Sequence, residues 1–184
     1  GATGIKNAIQ GGVDSIEHGS LADDEAVEMM VKHGTFLVPT LSMGRVIASA
    51  SDDSGVPPIY VKKAKQVVEI KKETFAKSWK AGIPIGCGSD FLSDGLSPMG
   101  GNAIELEHQV KDGRSEMDVI VSATKINSRI LGADKKIGTL EKGKLADLLL
   151  IDGNPLENIA ILQDRNCIVH VFKDGKRMPR KENS

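Results

Sequence analysis

Apolar and polar positions along the chain follow two alternating rhythms. Thr3 to Gln10 carries Ile5, Ala8 and Ile9 at helical spacing, and Gly11-Gly12 closes that run. Val13 to Glu17 reads as a short strand. Asp23 or Asp24 can cap a helix through Lys32, with Ala26, Val27, Met30 and Val31 on one face and Gly34 behind its end. "TFLVPT" reads as a short buried strand stopped by Pro39. Leu41 to Val56, rich in Ser, Gly and Asp, reads as irregular. Pro57 and Pro58 suit the first turn of a long helix ending near Ala81. "IPIGCG" is the next strand, and it ends at Ser89-Asp90. Phe91 to Gly101 reads as loop, Asn102 as the cap of "AIELEHQVKDG", and Ser115 to about Leu131 as helical.

The pattern then changes. "ADLLLID" and "CIVHVF" are strands with no long helix between them, and Asp174-Gly175 is a hairpin turn signal. The closing "RMPRKENS" is a polar tail.

Strand–helix alternation at this spacing means parallel strands joined by helical crossovers. An open doubly wound sheet and a (β/α)8 barrel both fit. The dinucleotide fingerprint is absent, since "GATGIKNA" lacks its glycine spacing and no strand precedes it. Polar residues collect at the carboxyl ends of the strands, where barrel enzymes keep their chemistry. The expected fold class is therefore α/β, the C-terminal half of a (β/α)8 barrel plus strands of a small β-sandwich. Residues 1–136 form the barrel part, 137–178 the sandwich segment and 179–184 the tail. A whole barrel takes about 250 residues, and half a barrel leaves its sheet edges and core face open. On this reading the isolated chain does not fold alone.

Composition narrows the function classes. Apolar residues make up 40% of 184, enough for a core, and the net charge is −1, so no bulk attraction to nucleic acid or membrane is expected. Aromatics are only 3%, which argues against base-stacking surfaces. The two cysteines, Cys87 and Cys167, sit among apolar neighbours and read as buried thiols. No apolar run is long enough to span a bilayer, and no signal peptide is visible. The chain begins at Gly1 and not at Met, so an upstream signal peptide stays open, with a cytoplasmic location favoured.

Two residues stand out chemically. His18 and Asp90 each follow a strand directly, at the same end of a parallel sheet. Both types bind divalent metals and both move protons. Taken alone, each has a plain explanation as a turn residue; together they suggest a shared site. Other candidates are weaker. Arg45 could meet a substrate carboxylate or be a solvated loop charge. Phe91 to Gly101 could be a lid or a plain surface loop. The lysines from Lys62 to Lys80 read as the solvated outer face of a helix, with Val67, Val68 and Phe75 toward the core. His33, His108 and His170 are assigned no role. Glu17 should point away from His18 and brace the strand from behind.

The segments "AIQGGVDSIEHGSLADDEAVEMMVKHGTFLVPTL", "AGIPIGCGSDF" and "VSATKINSRILGADKKIGTLEKGKLADLLLIDGNPLENI" occur in the order found in the amidohydrolase superfamily. They resemble its strand-six to strand-seven region, its strand-eight segment and its C-terminal signature. The resemblance is strongest to the prolidase-like and imidazolonepropionase-like branch. It implies a metal-dependent hydrolase of amide or peptide bonds in small substrates, such as dipeptides. It also implies a divalent metal, zinc above all, and a homo-oligomer at full length. His18 would be a metal ligand. Asp90 would be both a metal ligand and the catalytic group that takes a proton from the activated water and passes it to the leaving amine. Ser89 stands where the family more often has Thr. The family's His-x-His, its strand-four Lys or Glu and its strand-five His have no counterpart here, which reads as truncation. The chain alone is therefore expected to be inactive and not to hold metal at stoichiometric occupancy. A cyclic-amide hydrolase, or a non-catalytic assembly protein of the same family, are the other readings.

Overall fold

Three parallel chain segments organise the first part of the protein, seen in a computed structural model that describes residues 1–91, 96 and 100–179. Helix α1 (Ala2–Gln10) leads into β1 (Ser15–Glu17), α2 (Asp24–His33) and β2 (Phe36–Val38). Strands β1 and β2 pair in parallel, Ile16 opposite Leu37, and Leu37 bridges in parallel to Ile85 of the third segment. The crossover from β2 to that segment holds α3 (Leu41–Ala48) and α4 (Pro58–Lys80). After it come α5 (Ile104–Lys111), α6 (Glu116–Val121) and α7 (Asn127–Ile130), the last two joined by a π-helical turn, Ser122–Ile126.

Ile16, Leu37 and Ile85 form one row across the three segments, and all are buried. Helices α1, α2 and α4 cover this row with Ile9, Ala26, Met30 and Phe75. That is the apolar periodicity of the sequence folded onto one sheet face. The opposite face carries Val38 and Gly86. A Cβ at Gly86 would lie 2.6 Å from Ile130 and 3.1 Å from Val38, so only glycine fits there.

The final segment is separate in topology. β3 (Leu148–Ile151), β4 (Ile168–Lys173) and β5 (Lys176–Arg177) make an antiparallel sheet in that order. The β4–β5 hairpin turns through Asp174 and Gly175, both at positive φ, as its sequence signal required.

Several expectations need correction. Leu41 to Val56 is not irregular: it holds α3 and a 3-10 turn, Asp52–Ser54. β1 starts two residues later than expected, because the Val13 N–H closes α1 on the Ala8 carbonyl. Asn102 is not the cap of α5, whose N-cap is Ala103 without a side-chain bond. Glu17 does not brace the strand from behind: it is exposed and accepts from Ser15 Oγ on its own strand. Most of the Phe91 to Gly101 loop and residues 180–184 of the tail lie outside the described residues. Among the described residues, no helix is long and apolar enough to cross a membrane.

Candidate functional site

Each of the three parallel segments ends in a residue whose backbone turns into the left-handed region. These are His18 (φ 66°), Thr40 (φ 49°) and Asp90 (φ 60°). The His18 N–H donates to the Val38 carbonyl at 2.9 Å, the last rung between β1 and β2, and the chain then turns away. Gly19 follows at φ 58°, where a Cβ would sit 2.5 Å from Leu37 Cδ1. This turn needs glycine both for its conformation and for its space.

The three ends converge on one cleft of about 270 Å³. His18, Thr40, Lys71 and Asp90 line it, and α3 and α4 supply an apolar wall that includes Met43 and Val68. His18 Nδ1 lies 2.7 Å from Thr40 Oγ1. Lys71 Nζ, reaching from α4, donates to the Thr40 carbonyl at 2.8 Å and to Thr40 Oγ1 at 3.1 Å. Lys71 is only 7% exposed, so the solvated helix face expected for it is corrected here. Burial pushes its ammonium down to about 8, with the charges of Glu105 and Asp90 opposing and Arg45 adding to the fall. A signal for this was present. Lys71, Thr74, Phe75 and Ser78 fall at i, i+3, i+4 and i+7, and all four are buried.

Two polar clusters hold the rim in place. Helix α3 begins directly after Thr40 and has no side-chain cap of its own. Glu105 of α5 caps it from across the fold, accepting from the Leu41 N–H at 3.0 Å, the Ser42 N–H at 2.8 Å and Ser42 Oγ at 2.6 Å. Burial raises the Glu105 carboxyl above the usual carboxylate range, and the Ser42 and Leu41 donors work against that rise. His108, one turn along α5, is buried with Nδ1 3.3 Å from Ser42 Oγ, and burial lowers it to about 4. The Arg45 side chain is 22% exposed and is bound within the protein. It forms a two-pronged pair with Asp112, whose side chain is 3% exposed, and so ties α3 to the end of α5.

The second cluster fixes the extended segment that leads to Asp90, expected as a strand but joined to β2 by a single bridge at Ile85. In the parallel ladder the Gly86 carbonyl should receive the N–H of residue 39, but Pro39 has none. Gln109 Nε2 takes that carbonyl instead, at 3.1 Å. Asn127 then brackets the next residue. Its Oδ1 accepts from the Cys87 N–H at 2.9 Å and its Nδ2 donates to the Cys87 carbonyl at 2.8 Å, standing in for a neighbouring strand. Ser89 is buried beside Asp90.

Two donors suited to a borderline divalent cation, an imidazole and a carboxylate, thus line one cleft. A closed zinc site takes four. Among the described residues, no group of three or more His, Cys, Asp or Glu side chains is placed to hold a metal ion. One ring nitrogen of His18 is engaged by Thr40, which leaves the other for a ligand, the arrangement metal-binding histidines adopt.

Ochratoxinase from Aspergillus niger is 32% identical over 178 residues, 96% of this chain and 36% of the ochratoxinase. A crystal structure of a Xaa-Pro dipeptidase with bound methionine in the active site superposes with a TM-score of 0.87 at 40% identity, over 97% of this chain and 43% of the dipeptidase. A prolidase complexed with N-methylphosphonate-L-proline superposes with a TM-score of 0.84 at 30% identity, over 98% and 43% of the two chains. The chain therefore spans less than half the length of these relatives. The model of the Amidohydrolase family matches residues 1–178, and the chain belongs to the amidohydrolase family.

Proposed function

We propose that the full-length protein is a metal-dependent hydrolase of amide or peptide bonds in small substrates, prolidase-like, and that this chain supplies the last strands of its (β/α)8 barrel. The observation that carries the reading is the convergence of His18 and Asp90 on one cleft, His18 after strand β1 and Asp90 after the segment that bridges in parallel to β2 at Ile85. The solved dipeptidase and prolidase relatives support it. A bound divalent cation would supply an activated water and a polarised carbonyl. His18 would hold it through the ring nitrogen that Thr40 leaves free. Asp90 would hold it too, and would carry the proton from the water to the leaving amine. The remaining ligands would come from the part of the relatives' length that this chain does not span. The apolar wall of α3 and α4 suits a dipeptide with an apolar side chain.

The test is direct. The gene is expressed from its complete reading frame, loaded with zinc and screened against a dipeptide library. Hydrolysis lost on chelation and in both His18→Ala and Asp90→Ala is the expected outcome. Full activity in Asp90→Ala would end the proposal.

A further inference from the structure

Lys71 is a buried cation at the cleft that the proposed reaction does not use. Two of its hydrogen bonds go to a single residue, Thr40. Thr40 in turn holds a β-branched side chain at φ 49°, a conformation that costs about 1–2 kcal/mol and persists only where its surroundings enforce it. That turn is what presents the Thr40 carbonyl to Lys71 Nζ.

Three groups crowd Thr40 Oγ1: the Pro39 carbonyl at 2.8 Å, His18 Nδ1 at 2.7 Å and Lys71 Nζ at 3.1 Å. A hydroxyl has one proton and two lone pairs. The Pro39 carbonyl can only accept, so it takes the proton. The Lys71 ammonium can only donate, so it takes one lone pair. The second lone pair faces His18 Nδ1, which must then carry its own proton. Were Thr40 to donate to His18 instead, the Pro39 carbonyl would face a lone pair at 2.8 Å.

We propose that Thr40 and Lys71 act as a positioning pair that fixes His18 as its Nδ1–H tautomer, with the Nε2 lone pair turned to the cleft. The pair's value for catalysis rests on the reading of His18 as a metal ligand. The tautomer itself does not. A ligating histidine needs its other N–H held by an oriented acceptor. That acceptor is here a threonine hydroxyl, kept from donating back by the Pro39 carbonyl that takes its proton, with Lys71 holding the other lone pair.

The experiment uses the full-length protein with 15N-labelled histidine. Imidazole 15N shifts in the metal-free protein report the tautomer, and competition with a chelator reports metal affinity. The wild type is expected to show His18 protonated at Nδ1. Thr40→Val removes the hydroxyl and keeps the branching; Lys71→Met removes the donor and keeps the length. Thr40→Val should shift His18 toward the Nε2–H form and weaken metal binding by about 10–100-fold, while Lys71→Met, which loosens Thr40 without removing the acceptor, should do both to a smaller extent. Thr40→Ser should keep the wild-type pattern. A residue that merely stiffened α4 against β2 would alter stability without moving these shifts. Should Lys71→Met fail to fold, the contrast between Thr40→Val and Thr40→Ser decides. An unprotonated Nδ1 in the wild type, or an unchanged His18 spectrum in Thr40→Val, overturns the proposal. A wild type with Nδ1–H that binds no divalent cation sinks the hydrolase reading and leaves the positioning pair standing.

Discussion

Glu105→Ala should loosen the cleft from a distance. The Glu105 carboxylate is the cap of α3, taking two backbone N–H groups and one hydroxyl at 2.6 to 3.0 Å in a site with 0% exposure. Alanine leaves the Leu41 and Ser42 N–H groups unpaired away from water, at about 1–3 kcal/mol each. It also removes the negative charge that the helix N-terminus favours. Removing the burial penalty on the carboxylate offsets part of this. A net local cost of about 3 kcal/mol is the central expectation. Since about 1.4 kcal/mol is tenfold, the α3 amides should exchange with solvent on the order of a hundredfold faster. Hydrogen exchange followed by mass spectrometry over residues 41–48 of the full-length protein reads this directly. Ser42→Ala removes only the hydroxyl and should give a smaller effect, with both backbone bonds kept. The pH dependence has a definite sign. A carboxyl whose folded pKa is raised holds a proton that the unfolded chain has already shed. Stability conferred by that proton falls as pH rises from 4.5 through the raised value. The fall should vanish in Glu105→Gln. Exchange over 41–48 that is unchanged in Glu105→Ala would refute the capping argument outright.

Three further outcomes follow from the same contacts. Asn127→Ala strips both partners from Cys87 and should cost about 2 kcal/mol locally, seen as roughly 30-fold faster exchange of the Cys87 amide; an unchanged rate would mean another group pairs that strand. Between about 8 and 10.5 the unfolded chain keeps a Lys71 proton that the folded protein has lost, so urea stability should rise with pH across that window by about 3 kcal/mol. Lys71→Met should flatten that rise, and equal slopes in both proteins would contradict the burial argument. Burial pushes the Cys87 thiol up to about 12, so iodoacetamide should spare it at pH 8 until the protein is denatured; modification at the rate of a free thiol would show the strand end open.

What was legible in the sequence, and what was not, divides along the range of the interactions. His18 could be placed because a strand and its terminating residue are local facts, whereas the strand expected before Asp90 shrinks to a single parallel bridge at Ile85. The Asp23 cap and the Asp174-Gly175 turn are local too and could be read. Helix α3 was hidden because its cap comes from Glu105, 63 residues away from Ser42, while Ser42 and Gly44 inside it look like loop. Arg45 was hidden likewise, its partner Asp112 lying 67 residues on. Lys71 is a different failure. Its place in the buried stripe of α4 was visible in the spacing, but a lysine among six others from Lys62 to Lys80 reads as solvated unless its partner is known. That partner is a backbone carbonyl exposed by a strained turn, which no periodicity records.

The strain itself argues about function. Among the described residues four non-glycine positions have positive φ, and Asp174 is accounted for by its hairpin. The other three are His18, Thr40 and Asp90, one at the end of each parallel segment and all on the same cleft. Glycine would adopt each of these conformations freely, and the chain does use glycine immediately beyond, at Gly19. A β-branched threonine is among the least suited residues for such a turn. Three side chains kept where the backbone prefers none means the side chains matter more there than backbone ease. Two of them are the donors a divalent cation would use, and the third is what the first leans on at 2.7 Å. The strained ends and the proposed chemistry therefore coincide residue by residue. The pattern is that of a rim whose backbone is bent to aim its side chains, with Lys71, Glu105 and Asn127 holding the bend from behind.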